Sequence, residues 1–271
     1  MCGVTRLSGS ERGDNTCASE SLRVSVAVVG GALALSALAV PAAQADGSQG
    51  DTKITKVVVD GDNKVSIGTS SAVTVKVSVT ATDGSGIKGA DEFDLYGPDN
   101  GYATTSKPTC AKVNTTTSTC TASVTIDPRT DYLTDKSAGT WYVDAWVDAN
   151  DEDYSWKEKA GSFSFQRAAK LTVNAAPEPV TKGRTLTVTG ALTRADWESL
   201  KYGGYGSQAV KLQYRKSGSS TYTTLKTVTA DSKGNLKTTT TASADGYYRF
   251  SFAGSSTTAA VSAAGDFVDV K

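Results

Sequence analysis

Along most of the chain, hydrophobic residues fall at every second position. Val73, Val75, Val77 and Val79 alternate with Thr74, Lys76, Ser78 and Thr80, the pattern of a strand with one face on a core and the other in water. The same period runs through Ala122, Val124 and Ile126, through Leu186, Val188 and Leu192, and through Val210, Leu212 and Tyr214 against Lys211, Gln213 and Arg215. Turn residues punctuate the runs: Asp60-Gly61-Asp62-Asn63, Asp83-Gly84-Ser85-Gly86, Gly97-Pro98-Asp99-Asn100, Lys182-Gly183, Lys216-Ser217-Gly218 and Asp231 to Asn235. Beyond the N-terminal region no segment carries a helical stripe. Many short strands at this spacing predict an all-β fold of the sandwich type.

An internal repeat divides the chain. Gly139-Thr140-Trp141-Tyr142-Val143 followed by Gly161-Ser162-Phe163 corresponds to Gly246-Tyr247-Tyr248-Arg249-Phe250 followed by Gly265-Asp266-Phe267. Lys56 to Val59, a turn and Val73 to Val79 correspond to Lys170 to Val173, a turn and Leu186 to Leu192. Two tandem immunoglobulin-like β-sandwich domains, residues 46–167 and 168–271, account for this with the fewest assumptions. Face counting puts Tyr248, Phe250 and Phe252 on one side, matching Trp141, Val143 and Ala145. Asp245-Gly246-Tyr247-Tyr248 has the form of the corner before strand F of such domains, where a Tyr hydroxyl of that segment ties back to the backbone.

The N-terminal 45 residues read as a signal peptide. Val24 to Val40 is an uncharged run of small and apolar residues, followed by Pro41 and by Ala43-Gln44-Ala45, an A-x-A cleavage site. One feature departs from the usual plan: Arg6, Arg12 and Arg23 are offset by Glu11, Asp14 and Glu20, so the leader has no net positive charge; the alternative is a later start from a non-standard codon, at Leu22 or Val24, since Met1 is the only Met. No later apolar stretch suggests a membrane span. Cleavage removes Cys2 and Cys17 and leaves Cys110 and Cys120 in a chain bound for an oxidising compartment, where they should pair across a polar turn and staple a hairpin.

Residues 170–271 resemble a domain of secreted actinobacterial proteins with tandem immunoglobulin-like sandwiches. The similarity is carried by Lys182 to Gly190, Ala195-Asp196-Trp197, Lys211 to Arg215, Thr229 to Gly234 and Asp245 to Phe250. It implies a secreted sandwich protein and brings no activity or ligand with it; over the first half it extends only to the fold.

The chain has no His, 28 Lys+Arg and 28 Asp+Glu. Without imidazole, Ser-His-Asp and Cys-His nucleophiles and histidine metal sites are excluded, and a neutral chain lacks the cationic excess of a nucleic-acid binder. The zero sum conceals a dipole. Residues 46–167 hold 12 basic and 18 acidic residues, residues 168–271 hold 13 and 7, a net −6 against +6 that points to two surfaces with different partners or to two independently solvated ones.

Within the acidic half, Asp148, Asn150, Asp151, Glu152 and Asp153 crowd one strand end and the loop after it, a candidate calcium cage built from oxygen ligands, although the spacing fails the EF-hand pattern. The alternative is a solvated acidic loop. Tyr142, Asp144, Trp146 and Asp148 share the face opposite Trp141, Val143, Ala145 and Val147; with Trp156 on the next segment they form a candidate sugar platform, unless a neighbouring element covers them. Trp197, Tyr202 and Tyr205 sit in a long Gly-rich connection of the second domain, a candidate recognition loop, with Trp197 expected instead to plug the end of the barrel-like core. Catalysis would have to rest on carboxylates alone, Asp144, Asp148 or Asp151, in a fold that rarely forms deep clefts. The expectation is a secreted, non-enzymatic binding or adhesion module at the cell envelope or in the medium, with calcium as the one candidate cofactor and envelope polysaccharide or another surface protein as partner. A structural envelope component without a small ligand, and a glycan-binding module using the aromatic face, stand as alternatives.

Overall fold

In the computed structural model, which describes residues 46–271, the alternating segments become strands. The expected leader and its cleavage site lie outside the described residues. The first half contributes β1 (Gly47–Gln49), β2 (Lys53–Val59), β3 (Lys64–Ile67), β4 (Val73–Thr82), β5 (Ile87–Ala90), β6 (Asp94–Tyr96), β7 (Tyr102–Thr104), β8 (Thr109–Lys112), β9 (Thr117–Ile126), β10 (Gly139–Ala149) and β11 (Tyr154–Arg167). The second contributes β12 (Ala169–Leu171), β13 (Asn174–Ala176), β14 (Thr185–Asp196), β15 (Lys201–Gly204), β16 (Ala209–Lys216), β17 (Thr223–Thr229), β18 (Asn235–Thr241), β19 (Gly246–Phe252), β20 (Val261–Ser262) and β21 (Asp266–Val268). Among the described residues the only helical element is a 3-10 turn, Asp135–Ser137, and no helix is long and apolar enough to cross a membrane.

In the first half β2, β4, β9 and β8 form one sheet; the facing sheet runs β1, β11, β10, β6, β7, with β3 added alongside β11 and β5 alongside β10. All pairings are antiparallel except β3 with β11. The inward set is the one the period-two pattern names: Val75, Val77 and Val79 from β4 meet Trp141, Val143 and Val147 from β10 and Phe163 and Phe165 from β11, all buried. Full burial of each such side chain contributes about 1.5–3 kcal/mol. Trp141 is the largest of them. Its indole Nε1 donates to the Ser137 carbonyl at 2.8 Å, and its ring occupies the space over Gly97, where a Cβ would lie 2.3 Å from the ring. That position accepts only glycine unless the tryptophan moves.

Cys110 and Cys120 sit directly opposite one another on β8 and β9 and are joined by a disulfide. The turn between them is closed by Asn114, whose Oδ1 accepts from the Thr116 and Thr117 amides at 3.0 and 2.8 Å. In the chain-entropy account, a loop of this size stabilises by about 3 kcal/mol.

In the second half β12, β13, β15 and β18 all pair with the long β14, and β17, β16, β19 and β20 form the opposing sheet with β21 beside β19. Leu186, Val188 and Leu192 face Val210, Leu212, Tyr248, Phe250 and Phe252 in a second core. The corner before β19 is tied as anticipated, but by a residue of another strand. The Tyr214 hydroxyl on β16 donates to the Ala244 and Asp245 carbonyls, both at 3.0 Å, while the Tyr248 ring is buried with its centroid 5.0 Å from that of Tyr214. Tyr248 is committed to the core, so the strand paired beside it supplies the hydroxyl.

The two halves meet without a loose linker. Only Ala168 separates β11 from β12, and the backbone there is bonded to both sides: the Arg167 amide donates to Thr257 O, Ala168 to Ile67 O and Ala195 to Ala168 O. Trp197, which follows β14, is a plug as expected, but for the first core rather than its own. It is 2% exposed, its centroid lies 5.4 Å from that of Phe165, and its Nε1 donates to Gly68 O at 3.1 Å. The end of β14 is paired with β15 and with β12, which continues directly from β11, and Trp197, one residue past the strand, is thereby set into the first half's core. Replacing Trp197 by Ala should therefore lower the stability of the whole protein by about 3–5 kcal/mol in denaturant unfolding, with Trp197→Phe recovering most of it. A loss below about 1 kcal/mol would show that the insertion does not join the halves.

Candidate functional site

The outer face of the β1–β11–β10–β6–β7 sheet carries an unusual set of side chains. Inward positions of β10 are taken by Trp141, Val143, Ala145 and Val147, so strand geometry turns Tyr142, Asp144, Trp146 and Asp148 outward. The register then lines up neighbours: Trp146 opposite Trp156 and Asp148 opposite Tyr154 on β11, Tyr142 opposite Tyr96 and Asp144 opposite Asp94 on β6. Trp146 and Tyr154 stack with centroids 4.8 Å apart and planes 12° apart. Trp156 lies 6.4 Å from Trp146, and Tyr96 lies 5.8 Å from Tyr142. All five rings are half-buried and none is buried among the described residues.

A bulge in the β10–β11 pairing after Val143 shapes this surface. Lys159, with φ +53°, turns its amide to Asp144 Oδ1 at 2.7 Å and sets its ammonium 4.9 Å above the Tyr142 ring. Asp148 Oδ1 accepts from Trp146 Nε1 at 2.8 Å, which locks the indole. Trp156 borders a groove of about 690 Å³ whose lining includes Asp46, Lys53, Lys157, Glu158 and Lys159. Burial, reinforced by the Asp144 charge, pushes the Tyr96 phenol up to about 12. Aromatic walls, carboxylates and ammonium groups together can stack on a sugar ring and accept or donate hydrogen bonds to its hydroxyls.

The acidic loop takes a different form from the one its spacing suggests. Asp151 and Asp153 converge with Asp51 and Asp83, their nearest oxygens within 4.8 Å of one another. Asp148 is turned to Trp146, and the Asn150 amide nitrogen donates to the Ser85 and Gly86 carbonyls at 2.9 and 3.0 Å, pinning one loop to the other. Glu152 is exposed at φ +71° and stands outside the group of four. Asp51 and Asp83 were not legible as partners because they lie far off in sequence, and the β2–β4, β5–β10 and β1–β11 pairings together with the Asn150 clamp bring their loops together. Asp83 is buried and accepts from Thr52 Oγ1 and Ser85 Oγ, both at 2.6 Å. Burial pushes its carboxyl up, and the hydrogen bonds from Ser85 and Thr52 outweigh that, leaving it below the ordinary value.

A second acidic group, Asp135, Asp196 and Glu198, belongs to the junction. Asp135 pairs with the buried Arg167 at 2.6 Å and accepts from the Trp197 amide at 3.0 Å; burial is the main reason that its carboxyl sits above its ordinary value.

No protein-family model matches the chain, and no curated protein does. Among solved structures it is similar to a DUF4785 family protein from Legionella pneumophila, with 13% identity over 72% of this chain and a TM-score of 0.36; the chain spans about half, 51%, of that protein. It is also similar to the three N-terminal domains of the highly immunogenic outer capsid protein (Hoc) of bacteriophage RB49, with 10% identity over 81% of this chain and 70% of that one and a TM-score of 0.30. Both likenesses are distant, and nothing about function follows from them.

The raised Tyr96 phenol gives a checkable sign. The folded protein favours the neutral phenol, so the stability associated with it is intact below the ordinary value near 10 and is lost as pH rises through about 12. In an ultraviolet phenolate titration, Tyr96→Phe should remove one tyrosine from the latest-ionising component. An unchanged late component would assign the shift to another ring.

Proposed function

We propose that this chain is a secreted, non-enzymatic binding module acting at the cell envelope or in the medium, and that its ligand surface is the outer face of the first half, with envelope polysaccharide as the ligand. The observation that carries this reading is the ring set on the solvent side of the sheet: Trp146 stacked on Tyr154, with Trp156 tilted beside Trp146 and bordering a polar groove, all three half-buried. Large aromatic rings on the solvent side of a strand gain nothing for the core, which is already filled by the alternate positions. Locking of the Trp146 indole by Asp148 removes rotamer freedom before any ligand arrives, which lowers the entropic cost of binding. The Cys110–Cys120 disulfide accords with an oxidising compartment. The carboxylates available for acid–base chemistry, Asp144 and Asp148, are engaged in holding Lys159 and Trp146, which favours recognition over catalysis.

Titration of the protein with soluble polysaccharides, followed by tryptophan fluorescence and calorimetry, tests the reading. Saturable binding should weaken roughly tenfold or more in Trp156→Ala and in Trp146→Ala while the melting temperature holds. A folded protein that binds none of a broad panel of neutral glycans, or whose neutral-glycan binding ignores both substitutions, would overturn it.

A second reading is favoured by one observation, the convergence of Asp51, Asp83, Asp151 and Asp153. Four carboxylates this close repel by about 1 kcal/mol per pair even in water-like surroundings, and among the described residues no Lys or Arg forms an ion pair with them. A calcium ion held by these four would convert repulsion into coordination and brace the loops beside the aromatic face. Calcium should then raise the melting temperature with the logarithm of ligand excess, with the gain lost in Asp153→Asn. In chelator the same substitution should leave stability unchanged or raised, because it relieves repulsion. Identical melts in calcium and in chelator would remove calcium from the account.

A further inference from the structure

The second half presents its own outward face, on the β17–β16–β19–β20 sheet. Leu212 on β16 and Tyr248, Phe250 and Phe252 on β19 point inward, so Gln213, Arg215, Tyr247 and Arg249 point out, and the register sets Gln213 beside Arg249 and Arg215 beside Tyr247. Tyr222, in the connection between β16 and β17, folds back over this surface. The Arg249 guanidinium lies 3.7 Å from the centre of the Tyr222 ring, and Arg215 lies 5.3 Å from the same ring and 4.1 Å from that of Tyr247. A Cβ at position 265 would stand 2.2 Å from the Tyr222 hydroxyl, so Gly265 opens the space that lets this ring lie down between the two arginines.

Both guanidinium groups are held in place. Arg249 Nε donates to Gln213 Oε1 at 2.8 Å, and Arg215 donates to the Ser219 carbonyl. Yet among the described residues neither has a carboxylate within ion-pair distance. Two oriented, half-exposed arginines on one sheet face, stacked on aromatic rings and lacking counter-ions, make a preorganised site for planar oxyanions. Phe267, 39% exposed and 5.2 Å from Tyr247, adds a free aromatic surface at the edge of the pair. A sugar ring can lie on it, whereas a plain phosphate chain has no use for it.

We infer that the outer face of the second half binds a carboxylate-bearing polysaccharide, with Arg215 and Arg249 each gripping a carboxylate and Phe267 stacking on a sugar ring. The net positive charge of residues 168–271 draws such a polymer to this half and away from the acidic one. The site is separate from the first-half aromatic face and stands or falls independently of it.

The test is calorimetric titration of the full chain at low ionic strength with polygalacturonate, with dextran as the uncharged polymer and polyphosphate as the non-sugar polyanion. Polygalacturonate should bind saturably and weaken with added salt, and dextran should fail to bind at this face. Arg215→Lys and Arg249→Lys, which keep the charge and lose the fork, should each weaken binding roughly tenfold, and the double Arg→Gln variant should abolish it. Should the Gln variant fail to fold, the Lys variants decide the matter. Trp146→Ala with Trp156→Ala should leave the polygalacturonate titration unchanged, which separates this site from the first-half face. Absence of binding, binding that ignores the arginine substitutions, or polyphosphate binding tenfold tighter than polygalacturonate would overturn the inference.

Discussion

Phe165 touches two tryptophans, and the arrangement of the molecule depends on that contact. On one side it packs 4.4 Å from Trp141 at the centre of the first core; on the other it packs 5.4 Å from Trp197, delivered by the second half. The column is anchored at both ends by indole hydrogen bonds to backbone carbonyls, of Ser137 and Gly68. Buried aromatics of this size each represent several kcal/mol of cohesion. Because the column holds a tryptophan of the second half inside the first core, and because backbone hydrogen bonds bind Arg167 and Ala168 to both halves, the described residues form one compact unit. The pair between buried Arg167 and half-buried Asp135 lies in the same seam, where the Arg167 charge would be costly to bury unmatched.

With both cores closed by the inward residues of their strands, the outward residues are released for other work, and the two halves use them in opposite ways. The first half places tryptophan, tyrosine and aspartate side by side on its outer sheet; the second places arginine and tyrosine at the corresponding position. In each case a polar partner fixes the ring or the fork: Asp148 for the Trp146 indole, Gln213 for the Arg249 guanidinium.

Much of this was readable from period two alone. The inward positions of β4, β10, β14, β16 and β19, the all-β class and the hairpin bearing Cys110 and Cys120 follow from alternation and turn residues, since a strand has only two faces and a core accepts only one kind. The same rule assigned Tyr142, Trp146 and their neighbouring carboxylates to the solvent side. What alternation leaves open is which strand lies beside which. Tyr214 ties the corner that Asp245 to Tyr248 mark, because Tyr248 had already been taken by the core and the pairing of β16 with β19 put another hydroxyl in reach.

Long-range convergence was decided by tertiary structure alone. The loop at Asp151 and Asp153 declared its charge in the sequence, but its partners Asp51 and Asp83 come from distant turns brought in by sheet topology, and Asn150 spends its amide on clamping those turns. Trp197 declared itself as a buried plug, yet the core it fills is set by the direct passage of β11 into β12, which aims the end of β14 at the neighbouring sandwich. The sequence by itself determined which side chains are buried, because hydrophobic periodicity is local and follows backbone geometry. Only the folded chain decided what they are buried against, because strand order and register depend on contacts between residues that no local pattern connects.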